Sequence, residues 1–252
     1  GCAASAVAAS APMLLCGLAF HTKSLYCILA VGMFGGAYSM SFRHSTEADR
    51  TLMQRSAAVL VVSGTAHLAL CFGGLPPQVA CHFAHPDIVA QFLPDLICTP
   101  LIVWNLGYIG GKTPQDMVPT TALSFLSVVS FATAAGVHDP RAAYYLLAVG
   151  SGCLGKASYD LNVRLPVEAG RIASCNRLRT QIASDLLVLM WWGYPLVEVL
   201  SLAHCISLPV ALNSFVALDT LNKLGVSHII LRSPESFSLA SRYFAEQRRA
   251  RP

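Results

Sequence analysis

Residues 215–232 read FVALDTLNKLGVSHIILR, and this stretch decides the fold. It belongs to a longer apolar segment which, at about 1.5 Å per helical residue, is long enough to cross the hydrocarbon core of a bilayer. Lys223 lies near the centre, and Asp219 precedes it by one helical turn, so both side chains share one helix face. A lysine at that depth costs roughly 3 kcal/mol, and such residues usually face a bundle interior and serve a function there.

The whole chain has the composition of a membrane protein. Of its 252 residues, 54% are hydrophobic and 12% are charged, whereas a soluble domain carries roughly 25% charged residues. Apolar segments long enough to span a bilayer recur along the chain, at residues 22–43, 51–74, 88–110, 117–137, 141–163, 179–203 and 207–232. We therefore predict an all-α membrane protein, a seven-transmembrane-helix bundle formed by residues 22–232.

The distribution of basic residues predicts the orientation of the bundle. Of the 17 Lys and Arg residues, only Lys23 and Arg141 fall on one side, Lys223 lies in mid-span, and the others fall on the opposite side. The positive-inside rule then places the start of the first span outside and the C-terminus in the cytoplasm, in the plasma membrane.

Two further segments flank the predicted bundle. Residues 233–252 form a basic cytoplasmic tail in which apolar side chains at near-helical spacing predict a short surface helix. Residues 1–21 form a short hydrophobic N-terminal segment, for which a signal-peptide remnant, an outer-leaflet helix and an eighth span are the alternatives. We favour a short or partly inserted segment.

Lys223 and Asp219 suggest a specific chemistry. An amine held in a dry pocket favours its neutral form and can condense with an aldehyde to give a Schiff base, with Asp219 as the counterion. The alternative is a buried ion pair that ties two helices together, as in a small transporter. That alternative predicts inverted repeats, which the sequence does not display.

Three motifs on three spans resemble the microbial (type 1) rhodopsin family, which includes bacteriorhodopsin and the channelrhodopsins. Residues 219–223 read DTLNK and match the Asp-x-x-x-Lys pair of the family's last helix. Residues 191–195 read WWGYP and are similar to the family's Trp-x-x-Tyr-Pro, while residues 98–101 read CTPL where the family usually has Thr-Thr-Pro-Leu. The resemblance covers about residues 23–233, with the motifs in family order.

The resemblance implies a cofactor and a set of site residues. The cofactor is retinal, bound covalently to Lys223 as a protonated Schiff base, with Asp219 as counterion and Asp95 as a second candidate. Trp191 is expected to pack on the retinal, and Tyr194 to reach toward Asp219. The expected retinal-binding residues are Lys223, Asp219, Asp95, Trp191, Tyr194, Pro195, Thr99, Cys98, Glu198, Asn222 and His67.

The third span departs from the family pattern at its counterion. Pro94 occupies the position of the pumps' proton acceptor, and Asp95 follows one residue later, about 100° around the helix. Asp95 still reaches the Schiff base if Pro94 distorts the turn, because proline loosens the backbone that precedes it. Otherwise Asp219 is the only close counterion, and a blue- or near-ultraviolet-absorbing pigment is expected.

Other polar positions also differ from the family. Gln91 replaces an arginine, Asn105 stands at the proton-donor position, His67 replaces a tyrosine and Glu198 replaces a tryptophan. These side chains either line a hydrated path through the bundle or simply bond neighbouring helices. The scarcity of carboxylates along the spans favours anions over cations.

We therefore predict a retinal-binding photoreceptor, not an enzyme, that acts as a light-gated ion channel. The alternatives are a light-driven proton pump that uses Asp95 as a displaced acceptor, and a sensory rhodopsin that signals through a partner. Expected partners are membrane lipid, a transported anion or proton, and further copies of the chain, since the proteins it resembles form dimers or trimers. Neither a metal nor nucleic acid is expected, because Cys/His metal spacing and a basic aromatic face are missing.

Overall fold

The computed structural model describes residues 23–39, 47–231, 239–240, 242–243 and 245–246. Seven long helices follow one another and pack side by side, and the described part of the chain contains no strand. The helices are α1 (residues 23–39), α2 (Glu47–Cys71), α3 (Pro86–Phe92 and Asp95–Ile109), α4 (Pro114–Gly136), α5 (Pro140–Tyr159, Asp160–Arg164 and Leu165–Ala169), α6 (Ser174–Leu202) and α7 (Leu208–Thr220, Leu221–Gly225 and Val226–Leu231). The prediction of an all-α seven-helix bundle is confirmed.

Local sequence signals set where the helices begin. The Thr113 hydroxyl accepts a hydrogen bond from the backbone N–H of Asp116, whose carboxylate accepts one from the backbone N–H of Thr113, which is a capping box at the start of α4. Asp139 caps α5 by accepting from the backbone N–H of Arg141 at 3.0 Å. Gly111, with φ +77°, makes the turn before α4 that other residues rarely adopt.

Two helices contain a π-helical turn, and a third is interrupted. The π turns are Asp160–Arg164 in α5 and Leu221–Gly225 in α7, and the second one carries Lys223. In α3, a turn at residues 93–94 separates the two helical segments, because Pro94 has no N–H to donate and its ring clashes with the preceding turn. Such irregular turns often occur at functional sites.

Three helices extend at least four residues beyond the predicted spans. Helix α2 begins at Glu47 rather than at residue 51, α5 ends at Ala169 rather than at residue 163, and α6 begins at Ser174 rather than at residue 179. The added turns contain charged residues, namely Glu47, Asp49 and Arg50 in α2, Arg164 and Glu168 in α5 and Arg177 in α6, so an apolar count ends before them although they are compatible with helix. Within α5, Lys156 lies next to Leu154 and Gly155 inside the span, so it is not a loop residue and carries less weight in the charge count.

Among the described residues, the apolar core consists of three clusters, of which the largest joins α2 through α7 and the two smaller ones include the buried residues of α1. Its largest cluster includes Phe92, Phe131, Leu187, Trp191 and Phe215. By length and composition, three described helical stretches are apolar enough to cross a membrane: Pro86–Ile109, Gln115–Gly136 and Ser174–Leu202.

The two flanking segments lie almost wholly outside the described residues. Residues 1–21 are not described, so the predicted hydrophobic N-terminal segment has no structural account. In the tail, the described pairs 239–240, 242–243 and 245–246 are helical.

Candidate functional site

Lys223 is enclosed completely and faces two carboxylates. Its side chain is 0% exposed, and Nζ lies 2.5 Å from Asp219 Oδ1 and 2.8 Å from Asp95 Oδ1. Asp219 is one turn earlier on α7, whereas Asp95 comes from α3. Burying charges is costly unless opposite charges meet them, so the Lys223 ammonium depends on these carboxylates for its stability.

Asp219 is held by side chains from two other helices. Ser63 Oγ on α2 donates a 2.9 Å hydrogen bond to Asp219 Oδ2, and the Tyr194 hydroxyl on α6 donates a 3.2 Å bond to Oδ1. His67 Nε2 lies 3.6 Å from Oδ2, and its Nδ1 is 2.8 Å from the Ser63 carbonyl oxygen. These contacts make Asp219 a fixed anion beside Lys223.

Asp95 is held less tightly than Asp219. The turn at residues 93–94 places its carboxylate 2.8 Å from Lys223 Nζ. From the sequence alone it was open whether Asp95 reaches this amine. Apart from the 2.8 Å contact with Lys223 Nζ, Asp95 Oδ1 accepts no hydrogen bond from any residue in the described ranges. A carboxylate with one ionic partner and free acceptor capacity is better suited to receive a proton than one already held by several donors.

A cavity lies beside this triad, between α3, α4, α5 and α6. It is lined by Phe92, Asp95, Thr99, Ser127, Val128, Phe131, Leu154, Trp191 and Tyr194. The ring centroid of Phe92 lies 6.2 Å from that of Phe131 and 5.9 Å from that of Tyr194. Aromatic and aliphatic walls with a carboxylate at one end fit a long apolar ligand that ends in a cation, so these residues fit a retinal on Lys223.

The predicted site residues occupy different positions around Lys223. Asp95, Thr99, Trp191 and Tyr194 line the cavity. Pro195 is buried in α6 beside Tyr194.

Four other predicted residues are buried without lining the cavity. The Cys98 thiol lies 3.5 Å from the Val59 carbonyl oxygen and is turned toward α2. Asn222 Oδ1, His67 Nε2 and both Glu198 carboxylate oxygens form no hydrogen bond within the described part of the chain. Their burial is equally complete, since each is 2% exposed or less.

Several residues of the site were not predicted from the sequence motifs. Ser63, which bonds Asp219, stands one turn before His67 on the same face of α2, and that spacing is a signal that could have found it. Ser127, Phe131 and Leu154 line the cavity from α4 and α5, but these helices carry no family motif that singles them out.

Polar contacts continue on both sides of the triad. Toward the end of α2 at Cys71, Gln91 Nε2 donates a 2.7 Å bond to the Tyr26 hydroxyl, and the Tyr26 ring packs edge-on against His67. Toward the opposite end, Asn105 Nδ2 donates a 3.1 Å bond to Ser56 Oγ. The interface of α1, α2, α3 and α7 is therefore polar along much of its length.

Comparison with known proteins identifies the family. The family model described as bacteriorhodopsin-like protein matches residues 19–236. Sensory rhodopsin-2 of Haloarcula vallismortis is 27% identical over 198 residues, which cover 77% of this chain and 81% of that protein.

Two solved structures share the fold. Thermophilic rhodopsin from Rubrobacter xylanophilus superposes with a TM-score of 0.78 at 21% identity and covers 87% of this chain and 99% of its own. Halorhodopsin, a light-driven chloride pump, superposes with a TM-score of 0.72 at 18% identity and covers 85% and 94%. The chain therefore belongs to the bacteriorhodopsin-like proteins, the microbial rhodopsins, integral membrane proteins that bind retinal through a Schiff base.

Proposed function

We propose that this protein is a light-gated ion channel, with retinal on Lys223 and both Asp95 and Asp219 as counterions. When bound, retinal supplies light absorption and a change of shape at the Schiff base. Lys223 supplies the amine, Trp191 and Tyr194 form the wall against the apolar chain, and Thr99 completes the wall on α3. The cavity beside a fully enclosed lysine supports this assignment.

The two carboxylates have different roles in this proposal. Asp219 is fixed by Ser63 and Tyr194 and remains an anion, while Asp95 is free to accept a proton from the Schiff base. Two anions close to one cation favour its protonated form. Asp219 is not the only close counterion, because Asp95 Oδ1 lies 2.8 Å from Lys223 Nζ. We therefore propose a pigment that absorbs blue light rather than near-ultraviolet light.

The observation that carries the channel proposal is a row of buried polar atoms with unused hydrogen-bonding capacity. His67 Nε2, Asn222 Oδ1 and Asn105 Oδ1 bond no described residue, although all three side chains are 2% exposed or less. Buried polar atoms are rarely left unpaired and usually bind water. A row of such atoms along α2, α3 and α7 suits a path that hydrates when the Schiff base changes.

The distribution of acidic groups favours an anion as the conducted ion. Among described residues, the buried carboxylates are Asp95, Glu198 and Asp219. Glu198 follows the cavity residue Tyr194 toward the end of α6, whereas Asn105 and Ser56 lie at the opposite end of the bundle. Amide and hydroxyl donors without a carboxylate can solvate an anion and repel it less than a carboxylate would.

The pump and sensor alternatives differ in their support. Asn105 bonds Ser56 where a pump of this family places a carboxylic proton donor, so the relay that a pump needs is incomplete. A sensory function has one specific support, which is the 27% identity to the sensory rhodopsin of Haloarcula vallismortis. We keep the sensor as the second candidate.

Whole-cell photocurrent against holding voltage, with retinal supplied and external chloride replaced by a large anion, tests the proposal. We expect a current that reverses with voltage and a reversal potential that follows the chloride gradient. A one-directional current at all voltages supports a pump, and silence despite a visible absorption band supports the sensor. Either of those results contradicts the channel.

Two matched variants locate the path. Asn105→Leu removes the polar atoms opposite Ser56 and should reduce the photocurrent severalfold while the absorption maximum stays in place. Ser124→Ala removes a buried hydroxyl that is already bonded within α4, to the Thr120 carbonyl oxygen at 2.8 Å, and should leave the current unchanged. Equal effects of the two variants would contradict a path along α2 and α3.

The arrangement in the membrane is part of the same proposal. Residues 22–232 form the retinal-binding domain in the plasma membrane, with the start of α1 outside and the basic tail of residues 233–252 in the cytoplasm. The assembled form contains further copies of the chain and membrane lipid.

A further inference from the structure

We propose that Cys27 and Cys71 form a disulfide that joins α1 to α2 at the outer end of the bundle. The two Sγ atoms are 3.3 Å apart, and both side chains are partly buried. This covalent link can form whether or not the chain binds retinal or conducts ions.

The positions of the two cysteines make the link geometrically simple. Cys27 lies one turn after Lys23 in α1, and Cys71 is the last residue of α2, so the antiparallel helices bring both thiols to one end. Among the other described cysteines, Cys81 and Cys205 direct their thiols at local backbone carbonyls and Cys98 at the Val59 carbonyl. The 3.3 Å contact therefore distinguishes this pair.

Packing of the neighbouring residues restricts the positions of the two thiols. A small apolar cluster at this end contains Tyr26, Leu70, Ala90 and Val216, with Leu25, Leu29, Cys71 and Leu75 packed against it. Each cysteine follows directly after a residue of this cluster that is 8% exposed or less, namely Tyr26 or Leu70. Close packing restricts both side chains, so little further ordering is required to join the sulfurs.

The site also allows an oxidant to reach it. Cys71 is followed by the exposed Phe72 and by the turn at Gly73 and Gly74, which leads out of the bundle. The proposed orientation places this end outside the cell, where disulfides persist. Neither Cys27 nor Cys71 is fully buried, although both lie in apolar helices.

The chemistry is thiol–disulfide exchange with a low-molecular-weight disulfide such as oxidised glutathione. The thiolate of one cysteine attacks the oxidant, forms a mixed disulfide and releases one reduced thiol. The second thiolate then attacks the protein sulfur of the mixed disulfide, forms the Cys27–Cys71 bond and releases a second reduced thiol. Two protein thiols are oxidised, and one oxidant disulfide is reduced to two thiols.

Peptide mapping of the full chain in open membranes tests the link. Membranes are incubated with oxidised glutathione, blocked with N-ethylmaleimide and digested with trypsin without reduction. Cleavage after Lys23, Arg43, Arg55 and Lys112 places Cys27 in peptide 24–43 and Cys71 in peptide 56–112, apart from Cys2 and Cys16 in peptide 1–23. We expect one linked species of 24–43 with 56–112, which separates after reduction.

Three variants make the result specific, because peptide 56–112 also contains Cys81 and Cys98. The linked species should disappear in Cys71→Ser, where Cys27 should carry glutathione instead, and in Cys27→Ser. It should persist in Cys81→Ser. Full blocking of Cys27 and Cys71 by N-ethylmaleimide after oxidation, or linkage of either one to Cys16, would overturn the proposal without bearing on the photocurrent.

Discussion

At the scale of single residues, Lys223 is a cation between two carboxylates, and Asp219 is held by more hydrogen bonds than Asp95. Lys223 has no exposed surface, so its ammonium depends on Asp95 and Asp219 for its stability. Removing one partner of a buried ion pair typically costs about 3–5 kcal/mol, because the remaining charges stay buried without compensation. A variant at this site can lose its colour either because retinal is not bound or because the bundle does not fold. The experiments must therefore distinguish these two causes.

Lys223→Arg separates these two effects. Arginine keeps a cation between the carboxylates, so the bundle should still fold, but it has no primary amine to form a Schiff base. We expect no visible absorption band after retinal is added, with a helical far-ultraviolet spectrum like that of the wild type. The control is Lys156→Arg, at an exposed ion pair with Asp160, which should keep its colour. A coloured Lys223→Arg variant would mean that another lysine carries the retinal.

The two counterions should respond differently to neutralisation. Asp95→Asn and Asp219→Asn should each shift the absorption to longer wavelength, because a nearby anion stabilises the localised charge of the ground state. Asp219→Asn should also lower thermal stability by about 1.5–3 kcal/mol, since its bonds from Ser63 and Tyr194 lose their charge assistance. Absorption spectra and thermal bleaching measure both effects. Equal stabilities of the two variants would contradict the difference in restraint.

At the scale of the helices, irregular turns explain why part of the site could not be predicted. The motif of α7 predicts the Lys223–Asp219 pair from regular helical spacing, and Tyr194 follows from the family motif of α6. Asp95 is different, because a regular α3 would place it about 100° away from the acceptor position. Only the interruption at residues 93–94 brings it to Lys223. The periodicity of the sequence alone does not predict this displacement of the Asp95 side chain.

The packing of α4 against α5 gives a prediction about the cavity wall. A Cβ atom added at Gly150 would lie 2.6 Å from Phe131 Cε1, and Phe131 lines the cavity. Gly150→Ala should therefore displace that ring, shift the absorption and lower stability by about 1–3 kcal/mol.

Gly152→Ala is the matched control on the same helix, because a Cβ there meets nothing within 4 Å. Alanine favours helix over glycine by up to about 1 kcal/mol, so this variant should bleach at the same temperature as the wild type or higher. Thermal bleaching and the absorption maximum of both variants check the difference. Identical behaviour of the two would show that α5 moves away from Phe131 freely.

At the scale of the whole molecule, the direction of the chain through the membrane determines which ends the polar contacts face. Lys156 lies within α5 and not in a loop, so it adds little to the charge count. Lys112, Arg171 and Arg177 still fall at one end of the bundle, opposite Lys23 and Arg141. The proposed orientation thus rests on several connections rather than on any single residue.

Native cysteines allow that orientation to be measured without new sites. Cys81 and Cys205 are exposed in connections at the end proposed to face outward, whereas Cys175 is partly buried at the start of α6, at the opposite end. A membrane-impermeant maleimide applied to intact cells should label Cys81 and Cys205, and should label Cys175 only after the cells are permeabilised. Trypsin separates the three sites into peptides 56–112, 180–223 and 172–177. The reverse pattern would place Asn105 and Ser56 at the outer end, and the polar path would then meet the cytoplasm at Tyr26 and Gln91.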